Sequence, residues 1–279
     1  MITNKAVNEA IDYIFRHMEE SIRLEDVAEH CHFSKYYFCR LFKEQTGESV
    51  YSFIKRVRLE QSAFRLKVER ERPITEISAD YGYSSSNYSW AFRQHYDMTP
   101  VSFRRGSYRQ SMEHPYFHHE SWQAESFEAC DRKIKIRQVP DYRVVYERRF
   151  GSYEGLRRQW SRFVRKYGAY ITENTVFLER TYDDPAVTRE ENCLSDICMT
   201  VDKDCLLENT TVIQGGRCAV YGFRGSVKHI YAAYQTIFLI WLPRTGYVVD
   251  GGRSLFDVYR RVDKDGGWIE MEICVPVRE

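Results

Sequence analysis

LEDVAEHCHFSKYYFCRLFK, residues 24–43, and ITEISADYGYSSSNYSWAFR, residues 74–93, align without a gap at a spacing of fifty residues. Six aligned pairs match in character: Leu24 with Ile74, Val27 with Ile77, Phe33 with Tyr83, Phe38 with Tyr88, Phe42 with Phe92, and Lys43 with Arg93. The apolar spacing in each copy predicts a short amphipathic helix, a tight turn and a second helix, which is the plan of a helix-turn-helix. The duplication predicts two such units, over 24–47 and 74–97, that present two recognition helices to DNA.

Further helices are predicted around the two units. Apolar residues at helical spacing predict a first helix from Val7 to Glu20, and a linking helix from about Ser49 to Glu69 joins the units. Ser34 is a favourable N-cap for the first recognition helix, and Gly47 is a favourable stop at its other end. We therefore expect an all-α domain over residues 1–110.

The composition indicates an ordinary two-domain chain with no strong overall field. It has 279 residues and a net charge of +1, so nucleic-acid binding has to be argued from local patches. The eight cysteines show no C-x-x-C pair, which favours reduced thiols. With no secretory leader, and with the longest apolar stretch (237–242) too short to span a bilayer, we expect a cytoplasmic protein.

The N-terminal half resembles the AraC/XylS family of transcription regulators. The resemblance covers roughly residues 5–108 and is carried by ITEISADYGY at 74–83, Tyr88, AFR at 91–93 and MTP at 98–100. It implies two recognition helices that enter successive major grooves on one face of DNA, about 34 Å apart.

The resemblance also implies which side chains contact DNA. Base-edge contacts carry over by position to Tyr36, Cys39, Arg40, Ser86, Ser89 and Trp90. Arg40 suits bidentate recognition of guanine, which is worth about 1–3 kcal/mol of discrimination. Phosphate contacts, which position the protein without reading sequence, are expected from Lys35, Lys43 and Arg93.

The segment 111–131 is predicted to be a partly ordered linker, because the helical pattern stops after about Ser107. It contains His114, His118 and His119. These histidines could hold a metal ion, but no carboxylates or cysteines stand at ligand spacing. We therefore expect no metal and no cofactor.

Residues 132–279 contain a second repeat, with a period near seventy-five residues. VVYERRFGS at 144–152 resembles AVYGFRGS at 219–226, and DICMTV at 196–201 resembles EICVPV at 272–277. Each first strand leads into a predicted helix, over 153–167 and 227–241. The repeat predicts an α+β domain of two β-α-β-β modules that form an antiparallel sheet with both helices on one face. The seam between the modules is a usual place for a ligand.

Glu272 is the residue that we single out in this half, with Asp196 as its repeat mate. Ile269, Met271 and Ile273 alternate with it, so the strand turns Glu272 to the other face. That face could be solvated, or it could place the carboxylate among aromatic side chains, where a cationic ligand would pair with it. The other predicted ligand-lining residues are Tyr146, Tyr153, Phe177, Tyr221 and Trp241.

Residues 133–279 resemble the GyrI-like small-molecule-binding domain. The matching elements are ERTYDDP at 179–185, GGRCAVY at 215–221, IWLPRTGY at 240–247 and EICVPV at 272–277. The resemblance implies a final-strand glutamate in an aromatic cleft, and several members bind lipophilic cations. The combination of both halves resembles Rob-like regulators.

These features predict a transcription regulator, not an enzyme, that binds promoter DNA and a small aromatic or cationic effector. RNA polymerase is the expected protein partner of such an activator, and multidrug compounds are plausible effectors. The alternative is a small-molecule hydrolase in the C-terminal half, with Glu272 as its general base.

Overall fold

The computed structural model describes residues 1–117, 124–153, 155–263, 265 and 267–279. Its contacts divide the chain into two units, Met1–Tyr108 and Arg109–Glu279. The division falls close to the predicted end of the first domain at residue 110. The described residues of the segment 111–131 belong to the second unit.

The first unit is helical, as the sequence predicts. Its helices are α1 Lys5–Arg16, α2 Leu24–His30, α3 Lys35–Thr46, α4 Val50–Val68, α5 Ile74–Asp80, α6 Ser85–Tyr96 and α7 Pro100–Met112. Two ends differ from the prediction. The first helix stops at Arg16 instead of Glu20, and α7 continues past Ser107 to Met112, where the helical pattern was expected to fail.

The fifty-residue repeat extends to the turns and caps of the two helix-turn-helix units. His32 and Gly82 occupy the same place in the two turns, and both have a positive φ, 59° and 77°. The Ser34 and Ser84 hydroxyls each accept a hydrogen bond from a backbone N–H in the first turn of a recognition helix. The two turns therefore start α3 and α6 in the same way.

Aromatic packing repeats with the same spacing in the core of the first unit. The Phe42 ring meets the Phe53 ring edge-on at 5.4 Å, and Phe92 meets Phe103 at the same distance. The Tyr88 hydroxyl donates to Oγ of Ser62, which ties α6 to the long helix α4. Because the inward faces of α3 and α6 are held by these contacts, their opposite faces are set toward solvent.

The second unit is built around one antiparallel sheet. Its elements are α8 Phe127–Lys133, β1 Ile134–Val139, β2 Tyr142–Phe150, α9 Leu156–Tyr167, β3 Phe177–Thr181, β4 Leu194–Thr200, β5 Thr210–Ile213, β6 Gly216–Ser226, α10 Ile230–Thr236, β7 Val248–Val249, β8 Leu255–Val262 and β9 Trp268–Arg278. The strand order is β1-β6-β9-β8-β3-β4-β2-β5, and β7 pairs with β9 outside that order. β3 and β8 are therefore neighbours in the interior of the sheet.

Alternating side chains give this sheet two distinct faces. Leu178, Cys198 and Cys274 belong to the apolar cluster on one face, which we call the arginine face because Arg148 and Arg180 also lie on it. The adjacent residue Ile197 points the other way and packs with side chains of α9. We call this second face the helix face, because side chains of α9 and α10 both contact it.

Candidate functional sites

The outward faces of α3 and α6 carry the residues predicted to contact DNA. Tyr36 and Trp90 are the most prominent, with 82% and 63% of their surface exposed. The others are exposed as well, except Cys39, which is half-buried: Lys35, Cys39, Arg40, Lys43, Ser86, Ser89 and Arg93. Helical periodicity places each set on one side of its helix, available to a groove of DNA.

The positive charges on these faces differ in their surroundings. Lys35 Nζ lies 2.5 Å from a carboxylate oxygen of Glu25 on α2, so its charge is partly offset. The Arg40 guanidinium lies 5.7 Å from the centre of the Tyr37 ring and forms no ion pair with any residue that the structure describes. Arg40 is therefore the more available donor for a base or phosphate.

Two buried carboxylates face each other at the junction of β3 and β8. Glu179 and Asp257 are directly opposite in the antiparallel register, and each is only 3% exposed. Both point to the helix face, because each alternates with a residue of the arginine-face cluster. Opposed side chains have Cβ atoms about 4.5–5.5 Å apart, so two charged groups here would repel strongly. We call them the carboxylate pair.

A tyrosine hydroxyl binds each member of the carboxylate pair. Tyr259 donates to Oε2 of Glu179 at 2.8 Å, and Tyr234 of α10 donates to Oδ1 of Asp257 at 2.7 Å. The Trp160 ring of α9 packs edge-on against Tyr259 at 5.3 Å. These three aromatic residues are half-buried, so they form a partly accessible rim over carboxylates that are themselves buried.

Burial dominates the electrostatics of the pair. Burial raises the pKa of Asp257 well above its usual range, and the facing Glu179 raises it further. Burial also raises the pKa of Glu179, against the opposing effects of Tyr259 and Arg149. The Arg149 guanidinium donates to Oγ of Ser195 and to a backbone carbonyl, and its charge acts on Glu179 through space without outweighing burial.

This arrangement suits a flat or bulky cation. Aromatic faces attract a positive charge, and a carboxylate beneath them gains from pairing with one. Neutral ligands would leave the buried carboxylates without a charge partner. The helix face at β3 and β8 is therefore the strongest candidate for a ligand site among the described residues.

Glu272 lies elsewhere, on a partly exposed part of the sheet where two arginines are its charged partners. Alternation with Ile273 turns it to the arginine face, where Arg137 and Arg260 each place a guanidinium nitrogen 2.6 Å from its carboxylate. Burial alone would raise the pKa of Glu272, but Arg260 and Arg137 outweigh it and lower the pKa. The sequence correctly predicted that Glu272 and Ile273 point to opposite faces of the sheet. The aromatic rim, however, lies on the helix face, opposite to Glu272.

Asp196 and Tyr146 also belong to the arginine face. Arg148 and Arg180 donate to the completely buried Asp196 carboxylate. Burial would raise the pKa of Asp196, but the two arginines outweigh it and lower the pKa to about 2. Both guanidinium groups also lie within 5.5 Å of the Tyr146 ring centre. Asp196, which was predicted to line the ligand seam, is therefore held by two arginines and by the Tyr182 hydroxyl, which donates to its carboxylate.

The remaining predicted ligand residues lie on or near the helix face. The Phe177 ring meets Trp160 at 6.1 Å, and Tyr153 lies 5.7 Å from the Arg149 guanidinium. Tyr221 and Trp241 are buried and donate hydrogen bonds to carboxylates in or just before α8, Glu125 and Asp131 respectively. The first two adjoin the carboxylate pair, whereas the last two are held by the α8 segment.

Sequence reasoning missed Glu179, Asp257 and Tyr259 as site residues, although a signal for them exists. FLERT at 177–181 and LFDVY at 255–259 each carry a single carboxylate in the third place of a short strand, directly after two apolar residues. An acid in the middle of a buried strand needs a partner. Only the pairing of β3 with β8 shows that the partner is the second acid.

The linker histidines give no metal site within the described part of the chain. His118 and His119 lie outside the described residues, and His114 packs against the Tyr231 ring. Among the residues that are described, no group of three or more side chains could hold a metal ion. No helix in the described ranges is long and apolar enough to cross a membrane.

Comparison with known families finds a matching domain family for each half of the chain. Residues 27–106 match a helix-turn-helix domain, and residues 132–278 match the GyrI-like small molecule binding domain. The second match alone covers more than half of the chain.

Similar regulators resemble the N-terminal part. PocR of Salmonella typhimurium is 36% identical over 36% of this chain and 33% of its own length. SoxS of Escherichia coli is 32% identical over 37% of this chain and 97% of its own. The transcriptional regulator Rob of Salmonella typhimurium is 29% identical over 36% of this chain and 35% of its own. The alignment thus spans about a third of PocR and of Rob.

Proposed function

This chain belongs to the AraC-type transcription regulators that carry a GyrI-like small-molecule-binding domain, and from this we propose that its carboxylate pair binds a cationic aromatic effector. It is a DNA-binding regulator. The facing of Glu179 and Asp257 beneath Tyr234, Tyr259 and Trp160 is the observation that carries the proposal. The effector would then alter how the helix-turn-helix half acts on its operator.

We also propose a role for each part of the chain. Residues 1–110 bind DNA through the α3 and α6 faces, 111–131 link the halves, and 132–279 bind the effector. A regulator of this kind would act in the cytoplasm, with RNA polymerase as its protein partner. The similarity to SoxS and Rob supports this reading.

We further propose that the sheet is a duplicated β-α-β-β module. The order β2-β4-β3-β8-β9-β6 reads as two mirror-ordered triplets that meet between β3 and β8. In the first module Asp196 lies opposite Arg180, and in the second module its repeat mate Glu272 lies opposite Val258. These equivalent pairs support the repeat at the level of strand register. On this alignment Glu179 and Asp257 are repeat mates, so the duplication itself creates the carboxylate pair.

A hydrolase with Glu272 as general base finds no support. The arginine partners lower the pKa of Glu272, whereas a general base working near neutral pH needs a raised one. The named relatives are regulators, and we propose that this chain is not an enzyme.

Binding of a permanently charged aromatic cation tests the effector site. Tetraphenylphosphonium should raise the midpoint of thermal unfolding of the full chain, because it binds the folded state. Glu179→Gln should lower its affinity, measured by calorimetry, by about 10-fold or more, because a buried charge partner is lost.

Glu272→Gln is the matched control, since it makes the same change on the opposite face of the sheet. Its affinity for the cation should equal that of the wild type. The reverse result, with Glu272→Gln impaired and Glu179→Gln unaffected, would return the site to the location predicted from the sequence.

A further inference from the structure

The carboxylate pair poses a charge problem before any ligand arrives. Glu179 and Asp257 are opposed across adjacent strands and almost fully buried, and neither forms an ion pair with any described residue. Two like charges directly opposite each other destabilise a sheet, and burial increases that penalty. Two interacting carboxyl groups relieve it by retaining a proton between them.

The groups that face the pair from each neighbouring element do not remove the problem. Tyr259 on β8 and Tyr234 on α10 donate neutral hydrogen bonds to the two carboxyls. Arg149 on β2 acts on Glu179 through space and favours its charged form. Asp196 on β4 acts in the opposite direction, as does the facing Asp257.

The two members of the pair are therefore unequal. Glu179 has Tyr259 and Arg149 to stabilise its negative charge, whereas Asp257 has Tyr234. The retained proton belongs to the pair as a whole. The pair would carry one negative charge and one proton in the empty site.

We infer that a bound cation displaces this proton, so that the site exchanges a proton for an organic cation. The inference rests on the proposed effector site and adds a mechanism of selectivity to it. A permanent cation brings a positive charge and lets both carboxyls ionise, with the proton released to solvent. A neutral ligand of the same shape leaves the proton in place. The site would thus distinguish cations from neutral aromatics by the exchange itself.

The pH dependence follows from this linkage. Both pKa values are raised in the empty folded site, and a cation lowers them by stabilising the charged forms. A proton is released at any pH between the bound and the empty pKa. Affinity for the cation therefore rises with pH across that window, by up to about 10-fold per pH unit for one proton, and levels off above it.

Calorimetry in two buffers of different ionisation enthalpy measures the released protons. Titration of the full chain with tetraphenylphosphonium, which has no proton of its own, should release up to about one proton per site within that pH window. Triphenylphosphine oxide, a neutral aromatic probe, should bind more weakly and release none. The affinity for the cation should rise with pH over the same range.

Asp257→Asn separates the exchange from binding as such. The asparagine oxygen can still accept from Tyr234, and Glu179 loses its facing acid, so the variant should bind the cation with little proton release and little pH dependence. Glu272→Gln should match the wild type in both respects.

The outcomes separate the inference from the proposed function. If the cation binds, is weakened by Glu179→Gln, and releases no proton at any pH tested, the exchange is overturned while the effector site stands. If Asp257→Asn releases as many protons as the wild type, the exchange does not involve this pair. If no cation binds, or if the cation binds and Glu179→Gln does not weaken it, both proposals fail.

Discussion

At the scale of single residues, the side chains with the same charge have very different surroundings. Glu179, Asp196 and Glu272 are all acids on strands of one sheet. Asp196 is buried between two arginines, Glu272 is half-exposed beside two arginines, and Glu179 is buried opposite another acid. Only the last arrangement leaves a negative charge that a ligand can satisfy.

Arg40 provides the residue-scale prediction for DNA binding. It is exposed on α3 and has no ion pair within the described chain, so it can bind a base edge or a phosphate. Arg40→Ala should weaken binding to an operator selected by the wild type from random DNA by about 10-fold to 100-fold, equivalent to about 1–3 kcal/mol. Gel shift or fluorescence anisotropy at one fixed salt concentration measures this.

Arg70→Ala is the matched control, because Arg70 is exposed in the turn between α4 and α5. It should leave the affinity unchanged. If the Arg40→Ala protein selects the same operator from random DNA and binds it with the wild-type affinity, Arg40 does not read a base.

At the scale of elements, the fifty-residue repeat is a repeat of backbone conformation as well as of sequence. Phe33 N–H donates to the Ala28 carbonyl at 3.0 Å, and Tyr83 N–H donates to the Ser78 carbonyl at 3.0 Å. The residue between helix and turn has a left-handed conformation in both copies, yet one copy uses glycine and the other histidine. Only glycine adopts it without a penalty.

This difference predicts opposite responses in the two turns. Gly82→Ala should lower the free energy of unfolding of the first unit by about 1 kcal/mol, because alanine is disfavoured at a φ of 77°. His32→Gly should be neutral or should raise it, since glycine relieves the same penalty. Urea unfolding followed by circular dichroism measures both.

Gly106→Ala supplies the control for the same change within α7, where no atom lies within 4 Å of the added Cβ. It should stabilise by about 0.5–1 kcal/mol, because alanine is favoured inside a helix. A stabilising Gly82→Ala would show that the turn does not need its left-handed residue.

At the scale of the whole molecule, the end of α7 and the residues just after it contact the helix that supplies Tyr234 to the carboxylate pair. Tyr231 on α10 donates a hydrogen bond to the Ser111 carbonyl at 3.1 Å, and the His114 ring packs on the Tyr231 ring at 5.0 Å. α7 begins in the first contact unit and ends at Met112 in the second. The site and the end of α7 thus share α10 as a neighbour.

Because α10 contacts both the carboxylate pair and the end of α7, we expect effector binding and operator binding to influence each other. If tetraphenylphosphonium changes operator affinity by some factor, the operator must change affinity for the cation by the same factor. Tyr231→Phe removes the hydrogen bond to Ser111, so the cation should then change operator affinity by a factor closer to one. The affinity for the cation alone and for the operator alone should change little. Tyr247→Phe, which removes a hydroxyl near Arg217, should leave the factor unchanged.

Anisotropy titrations of operator with and without the cation, and of the cation with and without operator, measure both directions. A factor that stays the same in Tyr231→Phe would show that the α10 contact does not carry the coupling. Factors that differ between the two directions would show that the binding measurements are not at equilibrium.

The sequence predicted the helical half in detail because its information is local. The helix start at Ser34 and the apolar stripes depend on residues within a few turns of chain, and the fifty-residue repeat applies the same local pattern twice. The four helices α2, α3, α5 and α6 lie within the ranges 24–47 and 74–97 that the repeat marks out. The sequence likewise showed that Glu272 alternates with Ile273, which the register confirms.

The sequence by itself determined the two families of domain, the recognition-helix faces and the alternation along each strand. The tertiary structure decided which face of the sheet the helices cover and which acids meet across strands. The physical reason is that strand alternation has a period of two, so a pattern shows that residues lie on opposite faces without showing which face is covered. Glu179 and Asp257 are far apart in the chain, and only the pairing of β3 with β8 brings them together.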